Sequence, residues 1–290
     1  MIHQQHVLQG RAAVVTGAAR GLGEGIARCL ALRGARIALL GLEESALIRV
    51  AASLPTTAKH WAVDVTDDDA MRRVADEVRQ SLGSPSVVVA NAGIAEGGPF
   101  SESDPALWRR VIEVNLIGSA ITLRAFLPSL IATHGYYLQI ASMASMAAAP
   151  MMSAYCASKA GVESYVHAVR AELVPQGVGV GIAYLNWMDT DMIRDADQHA
   201  VLRELRAHMP KPARKIYPVD FVATRLAAAV ERRSSAVYVP AWLRSVQVVR
   251  AGLPGMVARS ARRELARSSF TATGPLGAGG RAAAERSDAM

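Results

Sequence analysis

Short runs of consecutive apolar residues alternate along this chain with longer stretches of helical period. The first run is Ala12-Ala13-Val14-Val15, inside residues 11–16. Similar runs at 35–40, 59–65, 86–90, 136–141, 178–184 and 236–239 read as further strands. Between them, 24–33 places Ile26, Ala27, Leu30 and Ala31 on one helical side, and 67–82, 104–132, 153–174, 195–209 and 219–232 read as helices. The helix at 67–82 opens on acids, as a helix dipole prefers. The strands are apolar on both faces, so the pattern predicts an α/β fold: a doubly wound parallel sheet covered by helices on both sides, in one domain over 1–239. Ligands of such sheets bind beyond the carboxyl ends of the strands. The glycine-rich turn at 16–23, Asp64, Asn91, Ser142 and Asn186 all fall at such ends, so the topology gathers them on one edge.

Beyond 239 the pattern changes. Leu243, Val246, Val249, Leu253, Met256 and Val257 form a broken helical stripe, interrupted by Gly252-Leu253-Pro254-Gly255 and mixed with arginine. Residues 240–267 read as a basic amphipathic extension. It either lies on a membrane surface or packs on the domain or a partner subunit, and the second reading is favoured. Residues 268–290, rich in Gly, Ala, Ser and Arg, are expected to be disordered.

Charge sharpens this division. The net charge is +7, but residues 241–290 hold eight arginines against three acids. That leaves +5 in the tail and +2 in the body, so the basic balance describes an appendage. Nucleic-acid binding, which more often places charge on the folded body, is not expected. Cys29 and Cys156 are too few for a disulfide scaffold or a structural zinc site. The first ten residues lack a signal-peptide profile, and no apolar run is long enough to span a bilayer. A soluble, cytoplasmic protein is the expectation, with peripheral membrane contact through 240–267 as the alternative.

Two stretches suggest chemistry. Thr16-Gly17-Ala18-Ala19-Arg20-Gly21-Leu22-Gly23 lies between the first strand and the first helix. Its glycines allow a tight turn, and the helix N-terminus offers unpaired N–H groups and a positive dipole end to a pyrophosphate. Tyr155 and Lys159 stand four residues apart on a helix, hence on one face. An ammonium beside a phenol favours the phenolate, which brings proton exchange by the tyrosine towards neutral pH. The seven histidines show no metal-ligand spacing, and no metal site is expected.

Taken in order, these motifs resemble those of the short-chain dehydrogenase/reductase family. Thr16-Gly17-x-x-x-Gly21-x-Gly23 is followed by Asn91-Ala92-Gly93, by Asn115 in Val111-Ile112-Glu113-Val114-Asn115-Leu116, by Ser142, and by Tyr155-x-x-x-Lys159. The resemblance covers roughly 10–238. It implies a Rossmann-like fold, a homo-oligomer (dimer or tetramer), and hydride transfer between a nicotinamide cofactor and an alcohol or ketone. Tyr155 is then the general acid/base, and Ser142 hydrogen-bonds the substrate oxygen. Lys159 lowers the pKa of Tyr155 and holds the nicotinamide ribose, and Asn115 anchors a relay water. The reaction itself leaves negative charge on oxygen and so requires a proton donor and a second hydrogen-bond donor there.

On the cofactor, the resemblance implies contacts from Gly17, Arg20, Gly21, Leu22 and Gly23 at the turn. It also implies Asp64 on the adenine with Val65 beside it, Asn91, Ala92 and Gly93 along the ribose and nicotinamide side, Met188 near the nicotinamide, and Thr190 on its carboxamide. Gly41 occupies the place of the acid usual in NAD users, and Arg20 is available for a 2′-phosphate, so NADP is favoured over NAD. Glu43 reads as the first turn of the next helix. One departure stands out: Leu185-Asn186 replaces the family's Pro-Gly. Asn186 is expected to take the left-handed backbone in glycine's place, and Leu185 to crowd or reshape the nicotinamide pocket.

Met143, Met146, Met151 and Met152 flank the serine and tyrosine, and Trp187, Met188 and Met192 open the following loop. They either pack in the core or line an apolar pocket; in the second case the substrate is a steroid, a lipid-derived or another bulky hydrophobic alcohol or ketone. Residues 195–209 are expected to form one helix over the site as a lid, with Asp197, Arg203 and Arg206 solvated. Two other classes stay open at this point: a dinucleotide-binding regulator without turnover, and a membrane- or nucleic-acid-binding module using the tail.

Overall fold

The computed structural model describes residues 7–207, 209–265 and 271–287. Its first half runs β1 (Ala12–Thr16), α1 (Gly21–Ala31), β2 (Arg36–Gly41), α2 (Glu44–Ser53), β3 (Ala58–Ala62), α3 (Asp68–Leu82) and β4 (Pro85–Ala90). The second half runs α4 (Pro105–Ile112), α5 (Gly118–Ala132), β5 (Tyr136–Ile140), α6 (Ser153–Leu173), β6 (Gly179–Leu185), α7 (Asp191–Gln198), α8 (Ala200–Ala207), α9 (Val219–Glu231) and β7 (Ala236–Val239). Three further helices follow: α10 (Leu243–Val249), α11 (Leu253–Leu265) and α12 (Gly277–Ser287).

The seven strands pair in parallel in the order β3-β2-β1-β4-β5-β6-β7. The chain winds outward from β1 to β3, then returns to place β4 against β1. That reversal opens a crevice at the carboxyl ends of β1 and β4. The central strands are buried on both faces because helices cover both. Ile26, Leu30, Leu39 and Leu226 belong to one layer, and Val14, Leu40, Phe126 and Val162 to the other. Asp67 caps α3 by accepting from the Ala70 N–H at 2.9 Å, and Asp104 caps α4 by accepting from Ala106 N–H at 2.9 Å.

Four expectations need correction. The stretch 104–132 is helical but not uniform, because Glu113–Ile117 is a π-turn between α4 and α5. Pro105–Ala132 is long and apolar enough to cross a membrane by length and composition, against the expectation of no such segment; 56% of its most apolar 18-residue window is buried, and α5 packs on α3 and β4. The lid at 195–209 starts earlier, at Asp191, and breaks at His199 into α7 and α8. Finally, the part of the tail expected to be disordered is ordered over 271–287. Glu96 and Pro275 form an antiparallel bridge, and α12 packs on α7. The remainder of that tail, 268–270 and 288–290, lies outside the described residues.

Candidate active site

The turn after β1 is built for a close backbone approach. Gly17 takes a left-handed backbone, φ +63°, and a Cβ on Gly23 would lie 2.1 Å from the Gly17 carbonyl oxygen. Only glycine fits there. No side chain caps the start of α1, which leaves its first N–H groups to an anion. Thr16 and Asn91 brace the turn against β4. The Asn91 side-chain amide donates to the Thr16 carbonyl at 2.9 Å, and Thr16 Oγ1 accepts from the Asn91 and Ala92 N–H groups at 3.0 Å each. Asn91 thus spends its amide on the turn and offers a wall.

Ser142 leaves β5 and caps a short 3-10 turn, its Oγ accepting from the Ala144 N–H at 3.1 Å. Tyr155 and Lys159 face it from α6. The Lys159 Nζ lies 5.7 Å from the Tyr155 ring centre and donates to the Ile140 carbonyl at 3.2 Å. Burial pushes the Tyr155 hydroxyl above its ordinary value, and its hydrogen bond with the Ser142 side chain pulls it partway back. Burial also drops the Lys159 ammonium to about 8. Lys159 was expected to depress the tyrosine. Instead desolvation is the largest effect on both groups.

Asn115 lies fully buried in the π-turn between α4 and α5. Its Oδ1 accepts from the Ile94 N–H at 2.8 Å, and its Nδ2 donates to the Ile94 carbonyl and to Ser158 Oγ at 2.9 Å. The π-turn is what lets one side chain reach both the loop after β4 and α6.

A cavity of about 790 Å³ joins these parts. Gly17, Arg20, Gly21, Leu22, Gly23, Asp64, Val65, Asn91, Ala92, Gly93, Ser142, Tyr155, Lys159, Met188 and Thr190 all line it; of the anticipated catalytic and cofactor residues, Asn115 stands behind the wall. The profile of the short chain dehydrogenase family matches residues 11–200.

The chain belongs to the short-chain dehydrogenase/reductase family.

It is 33% identical over 228 residues to the cis-4-hydroxycyclohexanecarboxylate dehydrogenase of Sinomonas cyclohexanicum, a match covering 76% of this chain and 92% of that one. A short chain dehydrogenase of Pseudocercospora fijiensis is 31% identical over 225 residues, covering 73% of this chain and 72% of that one. Among solved structures, a metagenomic short-chain oxidoreductase in complex with NADP superposes with a TM-score of 0.65 at 30% identity, covering 80% of this chain and 97% of that one. As a short-chain dehydrogenase/reductase, this chain is an oxidoreductase acting on CH–OH groups.

Several family positions carry contacts that sequence reading missed. Asp64 already holds partners of its own: its carboxylate accepts from the Thr66 N–H at 2.9 Å, from the Thr66 hydroxyl at 2.7 Å, and from buried Arg110. These partners hold its pKa below the ordinary carboxylate value against the opposing effect of burial. The signal for Arg110 was present, as an arginine on the apolar stripe that Leu107 and Val111 of α4 form with Val114 of the π-turn. Arg20 is held by Glu43, its Nε 3.0 Å from a carboxylate oxygen, and by Asp191 at 3.2 Å. Glu43 sits just before α2 and turns back to the cavity, so the acid absent at Gly41 reappears two residues later.

Asn186 does not take a left-handed backbone; the only described non-glycine residues that do are His134, Met151 and Arg233. It is instead a buried clamp, its Nδ2 donating to the Ala213 carbonyl at 3.1 Å. Leu185 lines the cavity and remains part of the core.

In the substrate half, Met143, Met152, Trp187, Met188 and Met192 line the cavity, whereas Met146 and Met151 pack behind it. Arg203 is exposed, as anticipated. Asp197 and Arg206 are not solvated bystanders: they line the cavity, pair at 2.6 Å, and Arg206 lies 5.7 Å from the Trp187 ring centre. The C-terminal extension supplies the rest of the roof, with Trp242 and Val246 near α10, Val257 from α11 and Ala283 from α12.

Proposed function

We propose that this short-chain dehydrogenase/reductase interconverts an apolar secondary alcohol and its ketone with NADP(H), using Tyr155 as the general acid/base. The observation that carries the reading is the Ser142–Tyr155 hydroxyl pair set in a cavity whose far half is lined mainly by apolar side chains, with the Asp197–Arg206 pair among them. The glycine turn fits a dinucleotide: a Cβ at Gly23 would fill the cradle, and the uncapped start of α1 faces it. Gly17, Gly21, Leu22 and Gly23 would hold the pyrophosphate, Val65 and Ala92 the adenosine side, Lys159 the nicotinamide ribose, and Met188 and Thr190 the nicotinamide end. When bound, the dinucleotide supplies or accepts the hydride.

The chain's own residues manage the oxygen and its proton. In reduction, the Tyr155 hydroxyl donates a proton to the carbonyl oxygen as charge develops there. Ser142 gives that oxygen a second hydrogen bond. In oxidation, Tyr155 takes the proton back. Lys159, an ammonium below about pH 8, would donate to the nicotinamide ribose hydroxyls. Asn115 braces the wall behind Lys159, from which a water would relay the proton to solvent. The apolar walls exclude competing water and favour a bulky hydrophobic substrate.

NADP is supported by Gly41 in the acid's usual place, by Arg20 at the cavity wall, and by the solved relative with NADP. Glu43 favours a second reading, NAD, because its carboxylate can accept from a ribose 2′-hydroxyl and competes with a 2′-phosphate for Arg20. A spectroscopic screen of apolar ketones and alcohols with both cofactors tests the pair. Faster turnover with NADPH supports the first reading, and an NADPH preference that grows in Glu43→Gln assigns Glu43 the selective role. Faster turnover with NADH, lost in that variant, supports the second. No turnover with any apolar ketone or alcohol would remove both.

A further inference from the structure

We infer that the tip formed by α10 and α11 docks on an anionic lipid surface. Three observations on this segment converge. The first is charge: residues 243–265 contain five arginines and a single acid, Glu264. The second is exposed apolar surface. Val248 is 85% exposed, Val249 57% and Met256 55%, all at the turn where α10 hands over to α11. Ala251 and Pro254 lie exposed between them, and Arg244, Arg259 and Arg262 are exposed on either side. Aliphatic side chains flanked by guanidinium groups match the two layers of a membrane interface, acyl boundary and phosphate.

The third observation is continuity with the cavity. The same segment is double-faced: Trp242, Val246, Leu253 and Val257 line the cavity from within, while Met256 both lines it and is exposed. The segment is also fixed in place. Glu163 on the catalytic helix α6 accepts from Gln247 Nε2 and from Arg250 Nη1, both at 2.9 Å. A docked tip therefore sits at the rim of the substrate chamber. On the reading of an apolar substrate proposed above, such a ligand passes from bilayer to Tyr155 beside Met256 without crossing bulk water.

Other occupants fit less well. A second copy of this segment would bring five arginines against five, with one glutamate on each side to offset them. A nucleic acid would leave Val248 and Val249 against phosphates, and the tip has no aromatic side chain on which a base could stack.

Co-sedimentation of the full chain with vesicles tests the inference. Phosphatidylcholine vesicles are compared with vesicles in which about a third of the lipid is phosphatidylglycerol. The wild type is expected to sediment with the second kind, less so as salt rises. Val248→Asp/Val249→Asp is expected to lower that binding at least about tenfold. Arg244→Gln/Arg259→Gln/Arg262→Gln is expected to lower it and to flatten the salt dependence. Unchanged turnover of a water-soluble ketone shows that the variants remain folded. Tyr155→Phe should sediment like the wild type, so a failure of the catalytic reading leaves the docking result standing. The inference is overturned if the wild type stays in the supernatant with both vesicles, or if the valine variant binds as well as the wild type. It is equally overturned if that variant turns a dimer into a monomer in light scattering while vesicle binding persists, or if the tip binds duplex DNA more tightly than vesicles.

Discussion

Lys159 shows how a single side chain couples stability to chemistry. It is 4% exposed, its charge compensated only by the Ile140 carbonyl, and its pKa is held at about 8 against an ordinary 10.5. Between those pH values the unfolded chain binds the extra proton, so the wild type gains stability as pH rises from 8 to 10.5. Lys159→Met should therefore be the more stable protein at pH 7, by up to about 3 kcal/mol less the lost hydrogen bond. Its advantage should fade across that window in urea titrations, while its turnover is lost. Gly23 makes a second prediction at this scale. A Cβ there would meet the Gly17 oxygen at 2.1 Å and the Asn91 Nδ2 at 2.7 Å, both fixed groups. Gly23→Ala should abolish dinucleotide binding in fluorescence titration while the sheet core, remote from the turn, keeps its circular dichroism.

At the scale of elements, Glu163 joins the catalytic helix to the extension. Its carboxylate accepts from the Tyr184 hydroxyl at 2.6 Å, from Gln247 and from Arg250, and these bonds keep its pKa below the usual carboxylate value despite burial. Glu163→Gln should cost about 1–2 kcal/mol and loosen α10 first, read as faster hydrogen exchange over 243–249. Asp195 plays the matching role for α12: it accepts from the Gly277 N–H at 2.9 Å and pairs with Arg281. Asp195→Asn should raise KM for bulky apolar substrates and leave that for small ketones nearly unchanged. The strands and the glycine turn were legible in the sequence because buried parallel strands are continuous apolar runs and because the turn's glycines are sterically required. Less local features were not. The π-turn at 113–117 arises from what Asn115 must reach, a tertiary demand with no periodic signature. The helix α12, Gly277–Ser287, is made of small residues that read as disorder, and its order depends on packing against α7. Asn186 was expected to solve a backbone problem, and it solves a side-chain one, clamping the chain at Ala213.

Across the whole molecule, the parallel sheet brings the carboxyl ends of β1, β4, β5 and β6 to one edge, and α6, α7, α8, α10, α11 and α12 contribute to a chamber above it. The sequence order of the motifs was sufficient to identify the family, and the residues anticipated for the cofactor all line one cavity. It was silent on which groups those residues already hold, so Arg20 was read without Glu43 and Asp64 without Arg110. On the proposed reading, the sheet edge supplies cofactor and proton chemistry, and the C-terminal extension shapes what reaches it. The central claim is that Tyr155 moves the proton. Its most direct measurement is kcat of Tyr155→Phe on an apolar ketone turned over by the wild type, with NADPH affinity followed in parallel by fluorescence. The account predicts a loss of about 10²- to 10⁴-fold in kcat with cofactor affinity nearly unchanged. Turnover of Tyr155→Phe within a few fold of the wild type would contradict it.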